Sequence, residues 1–135
     1  MKKIIFIAAS IMVVLLFSQC RFSSRSWKVY FWTSTEIAEG YDLYINGAHQ
    51  GPLSYLRNAP ECGDPLTTHN ALYVKMRSGT YDIVLKDRQG QVRFRESITI
   101  KLSRGSKTIS TSVFDKRGGS RNVNVDNCLV HEIFL

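Results

Sequence analysis

The chain has 135 residues, 18 Lys+Arg against 11 Asp+Glu for a formal charge of +7, and a 44% hydrophobic share. That length suits one domain rather than two; seven Phe, two Trp and six Tyr, with 21% charged residues, exclude a disordered chain. Nine glycines and three prolines exclude collagen-like and Pro-rich sequences.

The first twenty residues read as an address. Lys2 and Lys3 make a basic start, and Ile4 to Phe17 is an apolar run interrupted by Ser10. Its 14 residues match a signal-peptide core and fall short of the roughly 20 needed to span a bilayer. The segment Leu16-Phe17-Ser18-Gln19-Cys20 resembles a bacterial lipoprotein signal, in which the cysteine after the cleavage point carries the lipid. Gln19 stands where such signals usually place a small residue. The resemblance implies a signal peptide over 1–19, a lipidated Cys20 and a polar tether over 20–26. It also implies a membrane anchor in the bacterial cell envelope. Arg21, in place of the Asp that retains lipoproteins at the inner membrane, points to the outer membrane facing the periplasm. The alternative is ordinary secretion with Cys20 left as a thiol. In either compartment nucleic acid is not the partner that the basic charge serves.

From Trp27 onward the dominant period is two, the period of a strand. Trp27, Val29 and Phe31 alternate with Lys28, Tyr30 and Trp32. Tyr41, Leu43 and Ile45 form a second row ahead of Asn46-Gly47, a strong hairpin signal because both residues tolerate positive φ. Residues 58–70 form a loop, in which two prolines and a glycine forbid regular pairing. A loop of that size is functional or stapled down, and Cys62 offers the staple. Strands follow around Leu72, Val74 and Met76, around Tyr81, Ile83 and Leu85, and, after the turn Asp87 to Gly90, from Val92 to Leu102. Glu96 interrupts the apolar row of that last strand and reads as a bulge or a protein-facing edge. Lys107 to Phe114 and Arg121 to Leu135 read as a terminal hairpin, occupying about 107–135. The expected fold is all-β: one antiparallel sandwich domain over 27–135, Ig-like or prealbumin-like, of about seven or eight strands.

With Cys20 assigned to the lipid, Cys62 and Cys128 are left as an even pair in an oxidising compartment, and a disulfide between them is expected. Two separate thiols are the alternative.

Residues Tyr41 to Leu102 resemble the PEGA-type and related prealbumin-like surface modules of bacteria. Ile45-Asn46-Gly47 with Gly51 and Pro52, Leu72 to Met76 followed by Ser78-Gly79-Thr80-Tyr81-Asp82-Ile83, and Asp87 to Gly90 carry the likeness. It implies a non-enzymatic module in which Gly79 precedes an aromatic, Tyr81, that plugs the sandwich. The Pro-Glu-Gly-Ala signature itself is missing, and the Cys62 loop and the C-terminal hairpin are additions.

No GxSxG, HExxH, Walker or GxGxxG pattern occurs, and His49, His69 and His131 are scattered without CxxC or HxxxH spacing. No enzyme, cofactor or metal is therefore expected; Cys62 with His69 in one loop is the enzymatic alternative. Charge is lopsided. Residues 75–121 hold twelve Lys+Arg against four acids, and residues 30–74 one Arg against five acids. Lys75, Arg77, Arg93, Arg95 and Lys101 are the candidate face for an anionic partner: lipid phosphates, a peptidoglycan carboxylate or an acidic protein. A solvated strand face is the plainer account. Tyr30, Trp32 and Tyr44 make a candidate carbohydrate- or protein-binding set, or else lie under a covering element, for which the C-terminal hairpin is available. The expected function is a binding or scaffolding lipoprotein. The alternative is a small periplasmic hydrolase inhibitor that presents the stapled loop 58–70.

Overall fold

A computed structural model describes residues 26–103, 106–114 and 118–135. The expected signal, Cys20 and the expected tether up to residue 25 lie outside the described residues. Nine strands are present in two sheets: β1 (Trp27–Trp32), β2 (Asp42–Ile45), β3 (Ala48–Pro52), β4 (Leu72–Met76), β5 (Gly79–Lys86), β6 (Val92–Ser103), β7 (Ser106–Val113), β8 (Gly119–Val125) and β9 (Cys128–Phe134). The first sheet has the order β4-β1-β9-β8 and the second β3-β2-β5-β6-β7. The fold is a β-sandwich, with one strand more than the sequence suggested.

Strands such as β1, β2 and β5 bury one side by alternation, whereas β9 is buried on both faces from Leu129 to Ile133. Trp27, Val29 and Phe31 from β1 and Leu129 and Ile133 from β9 meet Leu43, Ile83, Leu85, Phe94, Ile98 and Ile100 from the second sheet. Packing at crystal-like density makes this core sensitive to a single lost methylene, so truncating Phe94 to Ala would cost about 3–5 kcal/mol.

The turns follow their residues. Asn46 (φ 50°) and Gly47 (φ 80°) both take left-handed backbone and close the β2–β3 hairpin. Gly119 leaves room for the Phe134 ring on the neighbouring strand: a Cβ there would lie 2.6 Å from that exposed ring, which would have to swing aside. Tyr81 packs against the core with its ring, and its hydroxyl donates to the Arg77 carbonyl at 2.9 Å.

Three expectations are corrected. The stretch 107–135 is not one hairpin. β7 pairs with β6 in the second sheet, and the hairpin is β8–β9 in the first. That hairpin extends the sheet beside β1 and does not lie over it. Second, β9 runs parallel to β1, Lys28 opposite Cys128, so the first sheet is mixed rather than antiparallel. Third, Glu96 marks neither bulge nor edge. β6 is an interior strand, its pairing with β5 is continuous through Ile83↔Glu96, and Glu96 faces the core in the same row as Phe94 and Ile98.

Candidate functional site: a lysine and tyrosine groove

The outer face of the first sheet carries the candidate site. β1 and β4 pair antiparallel, with Lys28 opposite Lys75, Val29 opposite Val74 and Tyr30 opposite Tyr73. Even-numbered β1 residues and odd-numbered β4 residues face outward, so two lysines form one row and two tyrosines the next. The tyrosine rings lie 5.4 Å apart at 42°, and Tyr73 is 48% exposed. Cys128, opposite Lys28 on β9, also faces outward and is bonded to Cys62, with the two Cα atoms 5.9 Å apart. A groove of about 640 Å³ lies among these groups, with Ser26, Thr68 and Asp126 also along it.

The bridge explains how the long loop is held. The chain after β3 is tied beside the end of β1, where Thr33 N–H donates to the Ser54 carbonyl and Leu56 N–H to Thr33, each at 3.0 Å. It then turns through one helical turn, Pro65–Thr68, capped by the Asp64 carboxylate accepting from Leu66 N–H at 2.9 Å. The disulfide fixes it against the outer face of β9. In the chain-entropy account, closing this 66-residue separation is worth about 4 kcal/mol.

Among the described residues neither Lys28 nor Lys75 has an ion-pair partner. Like charges directly opposite one another on a sheet are destabilising. This sheet therefore keeps two solvated ammonium groups side by side at a cost.

The basic residues named from sequence do not form one face. Lys75 is on β4 of the first sheet and Arg77 follows it, whereas Arg93, Arg95 and Lys101 lie on β6 of the second sheet. Arg93 and Arg95 are moreover occupied. Arg93 Nε donates to Asp87 Oδ2 at 2.6 Å, and Arg95 donates twice to Asp82, at 2.9 and 3.1 Å. Asp87 also accepts from the Gln89 and Gln91 amides at 2.9 Å each. Burial opposes its charge, but the Gln91 amide, the Arg93 guanidinium and the Gln89 amide outweigh burial and hold its carboxyl below the usual carboxylate range. The aromatic set divides in the same way. Tyr30 is in the groove and Trp32 is buried further along the same row, while Tyr44 is on the second sheet between Lys86 and His49.

Between the sheets lies a polar chain that sequence reading missed. His131 on β9 and Glu96 on β6 are each 0% exposed and bonded through Nε2 and Oε1. His131 Nδ1 reaches Asn122 Oδ1 at 2.5 Å, and Ser120 Oγ donates to Glu96 Oε2 at 2.5 Å. The ring of Phe31 stands edge-on to the imidazole at 5.3 Å. Ser120 meets the carboxylate and not the imidazole, so the order is unlike that of a nucleophile activated by histidine. The chain is a strut joining the sheets, with its polar atoms satisfied as a buried network requires. Cys62, bonded to Cys128, is not a free thiol beside His69.

No group of three or more metal-ligating side chains occurs among the described residues, and no helix among them is long and apolar enough to cross a membrane. No protein-family model, curated protein or solved structure matches the chain.

Lys28 and Tyr73 were the site residues not singled out in advance. A signal for them exists: Lys28-Val29-Tyr30 and Tyr73-Val74-Lys75 are reversals of each other, and antiparallel pairing of such segments places like beside like.

Proposed function

We propose that the protein is a non-enzymatic lipoprotein of the bacterial envelope, anchored through Cys20, that binds a ligand in the groove between Lys28, Tyr30, Tyr73 and Lys75. The observation that carries the binding reading is the unpaired, directly opposed lysine pair beside an exposed tyrosine pair. Ligand sites are concave, largely preformed and supplied with a few convergent polar groups, and this groove has those attributes. The rigid floor of paired strands and disulfide lowers the ordering cost of binding. The anchor rests on the signal-like run ending at Cys20.

Each half has its own test. Cys20→Ala should release the protein from the membrane fraction; unchanged fractionation overturns the anchor. Amine-reactive footprinting with envelope extract should protect Lys28 and Lys75 while exposed Lys101 labels as before. Equal labelling of all three with and without extract overturns the groove.

The inhibitor reading keeps one observation in its favour: Leu66, in the helical turn of the stapled loop, is 85% exposed. Under that reading Leu66→Asp should abolish inhibition of an envelope hydrolase and leave lysine protection unchanged.

A further inference from the structure

We infer that the ligand of this groove is an acidic saccharide, with a sugar ring on the Tyr30–Tyr73 pair and its carboxylate or phosphate between Lys28 and Lys75. The inference rests on the groove being the binding site proposed above.

The lysine row asks for an anion. The two ammonium groups are cross-strand partners, and among the described residues no acid neutralises either. Asp126 lies along the groove, yet it forms no ion pair with them. By contrast, Arg121 on the first sheet and Arg93 and Arg95 on the second each have a carboxylate from their own chain. An anion seated between Lys28 and Lys75 would remove the repulsion and add charge-assisted hydrogen bonds.

The tyrosine row asks for a ring with hydroxyls. The negative face of an aromatic ring attracts the polarised C–H bonds of a sugar, and a phenol adds a hydrogen-bonding tip. Apolar tails would need a continuous aliphatic wall, but here Pro65 and Val125 stand among Ser26, Thr68, Asp126 and the lysines. Strand geometry sets the spacing. Residues two apart on one face of a strand are about 7 Å apart, comparable to the reach from a pyranose ring to the acid group of a neighbouring sugar residue. At about 640 Å³ the groove has room for a short oligosaccharide.

The other candidates explain half the site. An acidic peptide or a bare phosphate would satisfy the lysines and ignore the tyrosines; a neutral glycan would do the reverse.

Calorimetric titration of the full chain in detergent with trigalacturonate, galactotriose and poly-L-glutamate separates these. Trigalacturonate should bind, and galactotriose and polyglutamate should each bind at least about tenfold more weakly. Lys28→Gln with Lys75→Gln, and separately Tyr73→Leu, should each weaken trigalacturonate at least about tenfold. All three positions are exposed, and unchanged thermal unfolding would show that the variants fold. Equal binding of galactotriose, equal binding of polyglutamate, no binding of trigalacturonate, or indifference to either substitution would each overturn the saccharide. Protection of Lys28 and Lys75 by envelope extract when trigalacturonate fails would overturn the ligand class and leave the groove standing. Absence of protection overturns the groove itself.

Discussion

The outer faces of the two sheets are built from similar charges and differ at one cross-strand pair. On the second sheet Arg93 and Arg95 are held by Asp87 and Asp82, Asp42 meets His49 at 3.0 Å, and the Lys86 ammonium stands 4.3 Å from the centre of the Tyr44 ring. On the first sheet Arg121 is likewise held by Glu132, at 2.5 Å, but Lys28 and Lys75 face each other and meet no acid among the described residues. Net charge along the sequence finds Lys75 and misses Lys28. The stretch richest in Lys and Arg contains the arginines that are already paired, while Lys28 lies outside it. Under the proposed binding reading, what matters is the cation without a partner rather than the number of cations.

The contrast can be broken at several points. The largest effect should come from the strut that joins the sheets. Glu96→Leu leaves buried His131 without its carboxylate and should cost about 3–5 kcal/mol in urea unfolding. The double variant Glu96→Leu with His131→Leu should recover most of that loss, because an apolar pair replaces an ionisable one. Failure to recover would mean the strut organises the fold beyond its own desolvation.

Next comes the bridge. Cys62→Ala with Cys128→Ala should lower stability by about 2–4 kcal/mol. Amide exchange should accelerate in the loop 53–71 and at β9, and stay unchanged in β5 and β6. A uniform increase would show that the sheets are not separable in this way.

The third test concerns Asp87 and acid. Its carboxyl is held below the usual range in the fold, so its contribution is fully present above the ordinary carboxylate value of about 3.9 and is lost as pH falls through the lowered one. Asp87→Asn should reduce the melting temperature at neutral pH and flatten the decline below about pH 4. A wild-type acid limb retained in the variant would assign it to other carboxylates.

The smallest effect is the most discriminating for the comparison. Lys75→Gln should raise the melting temperature by about 1–3 °C, because it relieves the repulsion with Lys28. Arg93→Gln should lower it. If both fall equally, Lys75 has a structural partner and the asymmetry is wrong.

Much of the fold was legible because its strands obey period two and its turns carry their own chemistry. Asn46-Gly47, the Asp87 turn and the Cys62–Cys128 pairing are all read from local rules or cysteine arithmetic. The strut was not. Glu96 shares a face with Phe94 and Ile98, but period alone says that a residue points inward, not that an acid there is compensated. The compensating His131 is 35 residues away on the other sheet. The division of 107–135 into three strands was hidden for a related reason: Val113 and Gly119 belong to different sheets, and alternation is blind to which sheet a strand joins. The groove needed the β1–β4 register, which two reversed tripeptides announce only once they are laid side by side.

The parallel pairing of β1 with β9 has a consequence in time. Lys28 and Cys128 are neighbours across 100 positions of sequence, so the interior of the first sheet cannot form until its last strand arrives. Contacts of such high sequence separation put folding in the slow range typical of β-sandwiches, milliseconds to seconds rather than microseconds. A chain threaded start-first through a narrow channel would complete its first sheet only after β9 had passed. The pairing that seats Cys128 beside Lys28 thus makes the first sheet the later of the two to close.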